Sequence, residues 1–416
     1  MKSVNDVFRD GRSPKGVSVF QLTNDEKGAA LVYPDLPCFL HDGRRFILHG
    51  QAGPMVCNLD KGASLRPLFE SPGGGRPFTV YPNGRFVAFH ERQSDAGGHF
   101  KLWRMDVDTG KIELVYERAG RIPGTPIDAG KLSVATVSSD GRRFATVAFL
   151  GDGHTQNAPY GIVVIEPGRD SVAVVAEDKD FFNGHLRYCA STDPEASHDL
   201  MIQQNHGSEL DEQGRAVVHL GPPCDGGADI HVVRDDGGDW RDMPWGRDGQ
   251  ESCIGHQLWR GGSRAGVTVT LQNADTSYGW ADGTRQEVVA GWPVQTDKSR
   301  PHLGRRNAGA RRVLLSEGFE GGRWCHFGLD ATGLRAVLDT FPIYNGIRAG
   351  MEVWIAGARD ETSPLKFRYI LNSGMTFGGK RWDHAHPILS PGGQELFFNS
   401  DLTGVSQAYM VTGLEY

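Results

Sequence analysis

The chain has 416 residues, of which 56 are glycine, and 23% of its residues are charged. The chain is longer than the chains that usually fold around a single hydrophobic core. The high glycine content favours many short strands joined by turns over a helical protein. The net charge of -7 argues against a protein that binds a nucleic-acid backbone, which would need a basic face.

The N-terminal segment lacks the apolar region of a signal peptide, and no stretch approaches the roughly 18 apolar residues of a membrane span. We therefore expect a cytoplasmic protein that does not cross a membrane. The cysteines are scattered and form no CxxC pair, so we expect buried free thiols and no metal-thiolate site. They are Cys38, Cys57, Cys189, Cys224, Cys253 and Cys325.

One module recurs along the chain: a short strand, a turn rich in Asp, Asn, Pro and Gly, and a strand of alternating apolar residues. Asp-Gly and Asn-Gly between apolar runs are strong hairpin signals, because both residues tolerate the positive φ that tight turns need. The seven copies are Pro37–Gly50, Phe78–Glu91, Ala135–Phe149, Leu186–His206, Gln257–Gln272, His302–Glu317 and His386–Ser400.

A further strand pair follows most copies, which makes four strands per copy. Seven four-stranded units predict an all-β fold, a seven-bladed β-propeller, as a single domain over residues 1–416. The last blade, from Asp383 to Tyr416, is one strand short, and Ser18 to Thr23 is predicted to complete it. A pair of β-sandwiches is the structural alternative, although it would not need seven similar hairpins.

Histidines fall at equivalent places in these copies, at the start of the first strand or the end of the second, which share one rim of a propeller. Imidazoles and carboxamides suit Mn, Fe, Ni or Zn, and a neutral histidine outside the metal shell can act as a general base. His154 and His326 fall outside the pattern, so we interpret them as surface or loop residues. The strand starts hold His185, His256, His302, His384 and His386, and the strand ends hold His49, His90 with Glu91, His206, Gln272 and Glu317.

At these residues the chain resembles the oligogalacturonate lyases, seven-bladed propeller enzymes of pectin degradation. GHQLW at Gly255–Trp259 is similar to the family's Gly-His-Glu-x-Trp element. DHAHPILSPGGQELFFNSDLTG at Asp383–Gly404 resembles its His-x-His-Pro element followed by a strand and Ser-Asp. NGHLRYCAS and QQNHGSE resemble the earlier segment that carries the catalytic histidine.

The resemblance implies that His256, His384 and His386 are metal ligands and that His206 is the general base. Arg381 stands where the family has a glutamine ligand. A fourth ligand then comes from Gln272, His185 or His302, or the metal is absent and Arg381 itself neutralises the substrate carboxylate. The expected cofactor is a divalent cation, with manganese as the first candidate.

These observations predict a lyase that cleaves uronic-acid-containing oligosaccharides by β-elimination. We assign catalysis to His206, His185 and Arg381, metal binding to His256, His384, His386 and Gln272, and substrate binding to His49, His90, His302 and Arg187. We expect the substrate to be the chain's acidic partner. A non-catalytic binding propeller is the alternative, and a hydrolase or epimerase on the same fold is a third reading, which for a hydrolase would need a pair of carboxylates.

Overall fold

The structure, a computed structural model, describes residues 1–51, 53–69, 77–93, 98–218, 228–245, 251–253, 255–272, 285–295, 312–316, 324–340, 343–344, 347–348, 350–376 and 384–416. Within them, strands form seven sheets of four or five strands and two separate two-stranded hairpins. The fold is the predicted all-β, seven-bladed β-propeller. The chain divides into two compact units, Met1–Arg76 with Leu315–Tyr416, and Pro77–Leu314. The organisation as one domain stays a prediction.

The turns between the first and second strands explain the repeat. In five blades the N–H of a glycine donates to the carbonyl three residues earlier, and that glycine has a φ of 63° to 73°, a left-handed conformation open to residues without a Cβ. The side chain of an Asp or Asn directly before this glycine often accepts a hydrogen bond from the backbone N–H of the residue directly after it. Asp42 accepts in this way from Arg44, and Asn83 from Arg85. These glycines are Gly43, Gly84, Gly141, Gly333 and Gly393.

The first unit contains blades one, six and seven. Blade one consists of Ala29–Leu31, Arg45–Gly50, Gly53–Asn58 and Ser64–Pro67. Blade six consists of Trp324–Leu329, Arg335–Thr340, Glu352–Gly357 and Lys366–Asn372. Blade seven consists of Ile388–Leu389, Leu396–Ser400, Gln407–Thr412, Ser18–Gln21 and Lys2–Ser3.

The predicted pairing of the N-terminal segment is present over Ser18–Gln21, which runs antiparallel to Gln407–Thr412. Phe8 packs on Phe398 and Tyr409 in the core of the same blade, with ring centroids 5.2 and 4.7 Å away. The N-terminal segment therefore contributes both strand hydrogen bonds and apolar side chains to blade seven.

The second unit contains blades two to five. Blade two consists of Phe78–Val80, Phe86–Gln93, His99–Asp106 and Ile112–Ala119, and blade three of Thr136–Val137, Phe144–Phe149, Tyr160–Glu166 and Ser171–Asp178. Blade four consists of Arg187–Tyr188, Asp199–Asn205, Ala228–Arg234, Arg241–Asp242 and Val294–Gln295. In blade five Glu251–Cys253 and Leu258–Trp259 both pair with Gly266–Gln272, followed by Arg285–Gly291 and Arg312–Leu314.

Burial along the strands shows where the core lies. Every residue of the second strand of blade four, Asp199–Asn205, is buried, whereas the outer strand Ile112–Ala119 of blade two is mostly exposed or half-buried. Central strands are covered on both faces, so they carry apolar residues without the alternation of a half-buried strand. The strand starts therefore lie beside the buried part of the blade, whereas the outer strand faces solvent.

Helical segments are short. In the part of the chain that the structure describes, the α-helix is Asn5–Phe8, and the 3-10 helices are Leu59–Lys61, Ala129–Lys131, Pro167–Arg169, Lys179–Asn183 and Ala196–His198. The two separate hairpins pair Glu209–Leu210 with Ala216–Val218 and Ile343–Tyr344 with Ile347–Arg348. Among the described residues, no helix is long and apolar enough to cross a membrane.

The sixth copy predicted from the sequence is wrong. Arg312–Leu314, expected as a second strand of blade six, instead pairs with Arg285–Gly291 as the outer strand of blade five. Blade six begins at Trp324–Leu329, and its first turn is closed by the N–H of Gly333 donating to Asp330. A second strand and an outer strand can carry the same short apolar run, so the local sequence pattern did not distinguish the two positions in a blade.

Candidate functional site

Three of the predicted histidines occupy one equivalent position, two residues before the first strand of a blade. His185, His256 and His386 precede the strands that begin at Arg187, Leu258 and Ile388 in blades four, five and seven. All three have a left-handed backbone, with φ values of 43°, 55° and 42°. Residues with a Cβ rarely adopt this conformation, which costs on the order of 1–3 kcal/mol each. The same constraint therefore recurs at three strand starts.

The small residue before each histidine is fixed to the second strand of its own blade. The bonds join Gly184 O to Gln203 N at 2.8 Å, Gly255 O to Thr268 Oγ1 at 2.9 Å and Ala385 O to Asn399 N at 2.7 Å. A Cβ on Gly255 would lie 2.5 Å from Oε1 of Gln203, in the second strand of blade four, so a larger residue would also disturb the packing against that blade. The dipeptides Gly-His and Ala-His thus bring the chain close to its neighbour strand and then turn the histidine out of the ladder.

In the first unit, three imidazoles form a compact group that we call the histidine cluster: His326, His384 and His386. The centroid of His326 lies 5.0 Å from that of His384 and 4.4 Å from that of His386, and His384 and His386 are 5.3 Å apart. Tyr33 packs edge-on against His326 and His386 at 5.4 and 5.1 Å. Blades one, six and seven all contribute to this site.

Asp339, at the end of the second strand of blade six, orients the histidine cluster. Its carboxylate accepts from the backbone N–H of His326 at 2.7 Å and of His386 at 3.1 Å, and both of its oxygens lie 3.1 Å from His326 Nδ1. Burial raises the pKa of Asp339 to about 6, against the lowering effect of His386 and the two backbone donors. With Nδ1–H donated to Asp339, His326 presents the lone pair of Nε2 on its other side.

His326 Nε2 faces two further atoms that could bind a metal ion. It lies 3.4 Å from His384 Nδ1 and 3.8 Å from the Sγ of Cys325. Donor atoms of Cys325, His326 and His384 all lie within 4.8 Å of one another, which is close enough to share a metal ion. Cys325 and His326 are buried and His384 is half-buried, so the group is reached from the His384 side.

In the second unit, His206 follows the second strand of blade four and lies between two carboxylates. Its Nδ1 is 3.4 Å from Asp180 Oδ2 and its Nε2 is 3.1 Å from Asp229 Oδ2. Lys179 Nζ in turn lies 2.6 Å from Asp180 Oδ1. Asp180 comes from a 3-10 helix and Asp229 from the third strand of blade four, so separate elements hold the ring at both nitrogens.

The surroundings of His206 do not keep it neutral, the state in which a histidine acts as a general base. Burial lowers the pKa of His206, but the ion pairs with Asp180 and Asp229 outweigh it and raise the pKa to about 9. The pKa of Asp180 is lowered: burial raises it, and the partners His206 and Lys179 lower it by more. Carboxylates at both ring nitrogens favour the imidazolium, so His206 is protonated near neutral pH.

His185 and His256 lie together in the same unit, with ring centroids 5.7 Å apart and nearly perpendicular rings. Gln257 Nε2 donates to the carbonyl of His185 at 3.5 Å, which links the starts of the first strands of blades four and five. The sequence placed these two histidines at equivalent positions, and the structure brings them into contact.

Other predicted site residues are more dispersed. His90 does not end its strand: it is buried inside Phe86–Gln93, with its ring 5.7 Å from Phe100. The Arg187 guanidinium donates to the carbonyls of Leu186 at 2.7 Å and Ala135 at 3.5 Å. His49 lies in the second strand of blade one, Arg45–Gly50. Their substrate-binding roles stay predictions. So do substrate binding by His302, catalysis by Arg381 and metal binding by the Gln272 side chain, which lie outside the described residues.

His326 and Asp339 are the residues that sequence reasoning missed. His326 was interpreted as a surface or loop residue, but it is 4% exposed and begins blade six. The signal was present in residues 324–340, where Asp-Ala-Thr-Gly separates two apolar runs. Applying the rule of strand starts and strand ends to this module would have selected both residues. By contrast, His154 lies exposed in a loop as predicted.

No protein-family model and no curated protein matches the chain. Its fold is similar to that of an oligogalacturonate lyase from Vibrio parahaemolyticus, with a TM-score of 0.66, 14% identity and coverage of 96% of this chain and 95% of that one. An oligogalacturonate lyase in complex with manganese gives a TM-score of 0.64 at 15% identity, covering 98% and 96%. A prolyl endopeptidase gives 0.50 at 13% identity, covering 94% of this chain and 51% of that one. These values establish the fold and a structural relationship, and the activity has to be argued from the site.

The histidine cluster fits a divalent cation. Several imidazoles converge, one of them held by a buried carboxylate at the ring nitrogen opposite the convergence point. Metal-binding histidines usually have such a carboxylate or carbonyl partner, which fixes the tautomer and the ring orientation. A cation at this place would be held by His384, which was predicted as a ligand, and by His326 and Cys325, which were not.

Proposed function

We propose that the chain is a lyase that cleaves uronic-acid-containing oligosaccharides by β-elimination. One observation carries this proposal: histidines at the starts of three blades share a left-handed backbone. A strained backbone at equivalent positions costs stability on the order of 1–3 kcal/mol each, so it persists where it serves a site. A binding scaffold has no need of it. The fold is that of known oligogalacturonate lyases over nearly the whole chain.

The reaction breaks two bonds. The proton on C5 of the uronic acid goes to a base, the C4–O bond breaks, and the leaving sugar departs with its oxygen while a C4–C5 double bond forms. The C5 proton is too weakly acidic for a histidine unless the adjacent carboxylate is neutralised. The site must therefore supply a base and a positive charge at the substrate carboxylate.

The positive charge has two candidate sources. A cation bound at the histidine cluster would act as a Lewis acid on the carboxylate. Asp339 binds Nδ1 of His326, which orients the Nε2 of this ring toward His384. The other source is Arg381, whose guanidinium could pair with the carboxylate directly.

For the base we propose His206, with His185 as the next candidate. Only a neutral imidazole accepts a proton, and the pKa of His206 is raised to about 9 by Asp180 and Asp229. The rate should therefore increase with pH and level off only above about 9 if His206 is the base. If His185 is the base, this dependence on the pKa of His206 should be absent.

The experiment follows the ultraviolet absorbance of the unsaturated product with a panel of uronic-acid oligosaccharides, including galacturonate and rhamnose-capped glucuronate ends. His206→Ala should lower the rate by about 10²–10⁴, as is typical when a general base is removed. His154→Ala is the matched control, since this histidine lies exposed in a loop. If His206→Ala is as fast as the parent, the base lies elsewhere. If no uronide yields an unsaturated product, the lyase proposal is refuted and the non-catalytic binding propeller takes its place.

A further inference from the structure

Two residues that the sequence pattern did not select as ligands, Cys325 and His326, bear on which metal ion this site would hold. Cys325 and His326 are adjacent in one strand, where neighbouring side chains normally point to opposite faces. Here the strand has a bulge: Trp324 pairs with Thr340 and Phe327 with Leu338, so Cys325 and His326 together oppose the single residue Asp339. A bulge of this kind re-aims a side chain. It explains how two adjacent residues place their donor atoms only 3.8 Å apart.

Two of the three separations between the donor atoms are close to those of ligands around one ion, and the third, between Cys325 and His384, is within 4.8 Å. With Zn–N near 2.05 Å and Zn–S near 2.3 Å at tetrahedral angles, the N–N separation is about 3.3 Å and the N–S separation about 3.6 Å. The observed values are 3.4 Å between His326 Nε2 and His384 Nδ1, and 3.8 Å between His326 Nε2 and Cys325 Sγ.

The surroundings of these atoms support the same assignment. The Asp339 carboxylate binds Nδ1 of His326, the nitrogen opposite the one that faces His384 and Cys325. The backbone N–H of His386 also donates to Asp339, which fixes the carboxylate itself. Such an outer carboxylate raises the basicity of a ligating imidazole and holds its ring in place.

We propose that Cys325, His326 and His384 form a zinc-selective centre whose fourth position is left for a water molecule or a substrate oxygen. One sulfur and two imidazole nitrogens are a softer donor set than the histidine and glutamine set expected from the sequence. Soft thiolate donors favour zinc, whereas manganese prefers oxygen ligands and lies at the weak end of the divalent affinity order. Three protein ligands with an open position are the arrangement of catalytic zinc sites.

The catalytic use of this centre rests on the proposed lyase function, whereas the binding of zinc does not. Binding is therefore measured without substrate, on the full chain freed of metal with a chelator and then titrated with zinc, manganese or cobalt. Zinc should bind at least about 100-fold more tightly than manganese. Bound cobalt should show the near-ultraviolet charge-transfer absorption of a thiolate ligand, which sites with only nitrogen and oxygen donors lack.

Variants assign the absorption to its residues. Cys325→Ser should abolish the charge-transfer band, and Cys57→Ser, which alters another buried thiol in blade one, should leave it unchanged. Asp339→Asn should weaken zinc binding by about 10–100-fold while the band remains, since this residue positions a ligand without touching the ion.

The proposal is overturned by any of three results. They are cobalt binding to the parent without a thiolate band, a band that survives in Cys325→Ser or disappears in Cys57→Ser, and equal affinity for manganese and zinc. The parent spectrum decides on thiolate ligation even if Cys325→Ser does not fold. A zinc centre in a chain that yields no unsaturated product would refute the lyase reaction and leave the centre standing.

Discussion

Removing the proton of His206 should weaken the folded state, and the size of the effect follows from its two ion pairs. The ordinary histidine pKa is 6.5, and Asp180 and Asp229 raise that of His206 to about 9. Each unit of difference corresponds to about 1.4 kcal/mol, so the imidazolium stabilises the fold by about 3 kcal/mol. The side chain is only 19% exposed, so solvent weakens these ion pairs little.

The sign of the pH dependence follows from the direction of the shift. A group whose pKa is higher in the folded state contributes its full stability below the unfolded pKa and loses it as the pH rises through the folded one. The contribution of His206 is therefore complete below about pH 6.5 and disappears as the pH rises through about 9. Between these values the free energy of unfolding should fall by about 1.4 kcal/mol per pH unit from this residue alone.

The assay is urea unfolding of the parent and of His206→Gln at intervals from about pH 6 to about pH 10, where the difference between the two curves isolates this residue from other titrating groups. Gln can still hydrogen bond to a carboxylate but does not titrate. In isotope-labelled protein, the ring resonance that His206→Gln removes should titrate near pH 9. Parallel stability curves for parent and variant, together with a ring that titrates near its ordinary value, would refute the reasoning.

Two further substitutions test the packing. Gly255→Ala adds a Cβ at a φ of 80° and 2.5 Å from Gln203 Oε1, so it should cost about 2 kcal/mol or more in urea unfolding, whereas Gly262→Ala, where the added Cβ meets nothing, should cost no more than about 0.5 kcal/mol. Phe398→Ala removes a buried ring that contacts Phe8 and Tyr409 and should cost about 3–5 kcal/mol, whereas Leu402→Ala, at a side chain 52% exposed, should stay within about 0.5 kcal/mol. Equal losses in either pair would show that contact and burial do not decide the cost at these positions.

The fold could be predicted from the sequence because its turns carry their own signal. Asp-Gly, Asn-Gly, Thr-Gly and Gly-Gly place a left-handed glycine between the first and second strands of five blades, so one local requirement repeats along the chain. The equivalent positions of His185, His256 and His386 could also be predicted, because the repeat that locates the strands also locates the residues where the first strands begin. The prediction of the sixth copy was wrong because Arg312–Leu314 has the same local sequence pattern as a second strand. Only its pairing with Arg285–Gly291 shows that it is an outer strand.

What could not be predicted depends on contacts between distant segments. The high pKa of His206 depends on Asp180, from a 3-10 helix, and Asp229, from another strand, and neither is marked by any spacing relative to His206. The absence of a CxxC pair argued against a metal-thiolate site. A bulge that brings Cys325 beside His326 is a feature of strand register, which a single sequence does not reveal.

The sheet of blade seven joins strands from the two ends of the sequence, and this has a consequence for biosynthesis. Ser18–Gln21 leaves the ribosome long before its partner Gln407–Thr412 has been made. At about 5–20 residues per second, the roughly 390 residues between them take on the order of 20–80 s to synthesise. Throughout that time Phe8, Val17 and Val19, all buried in the finished blade, have no core of their own to enter. An early segment that waits this long with apolar side chains and an unpaired strand edge is the place where chaperone binding and misassembly should concentrate during synthesis.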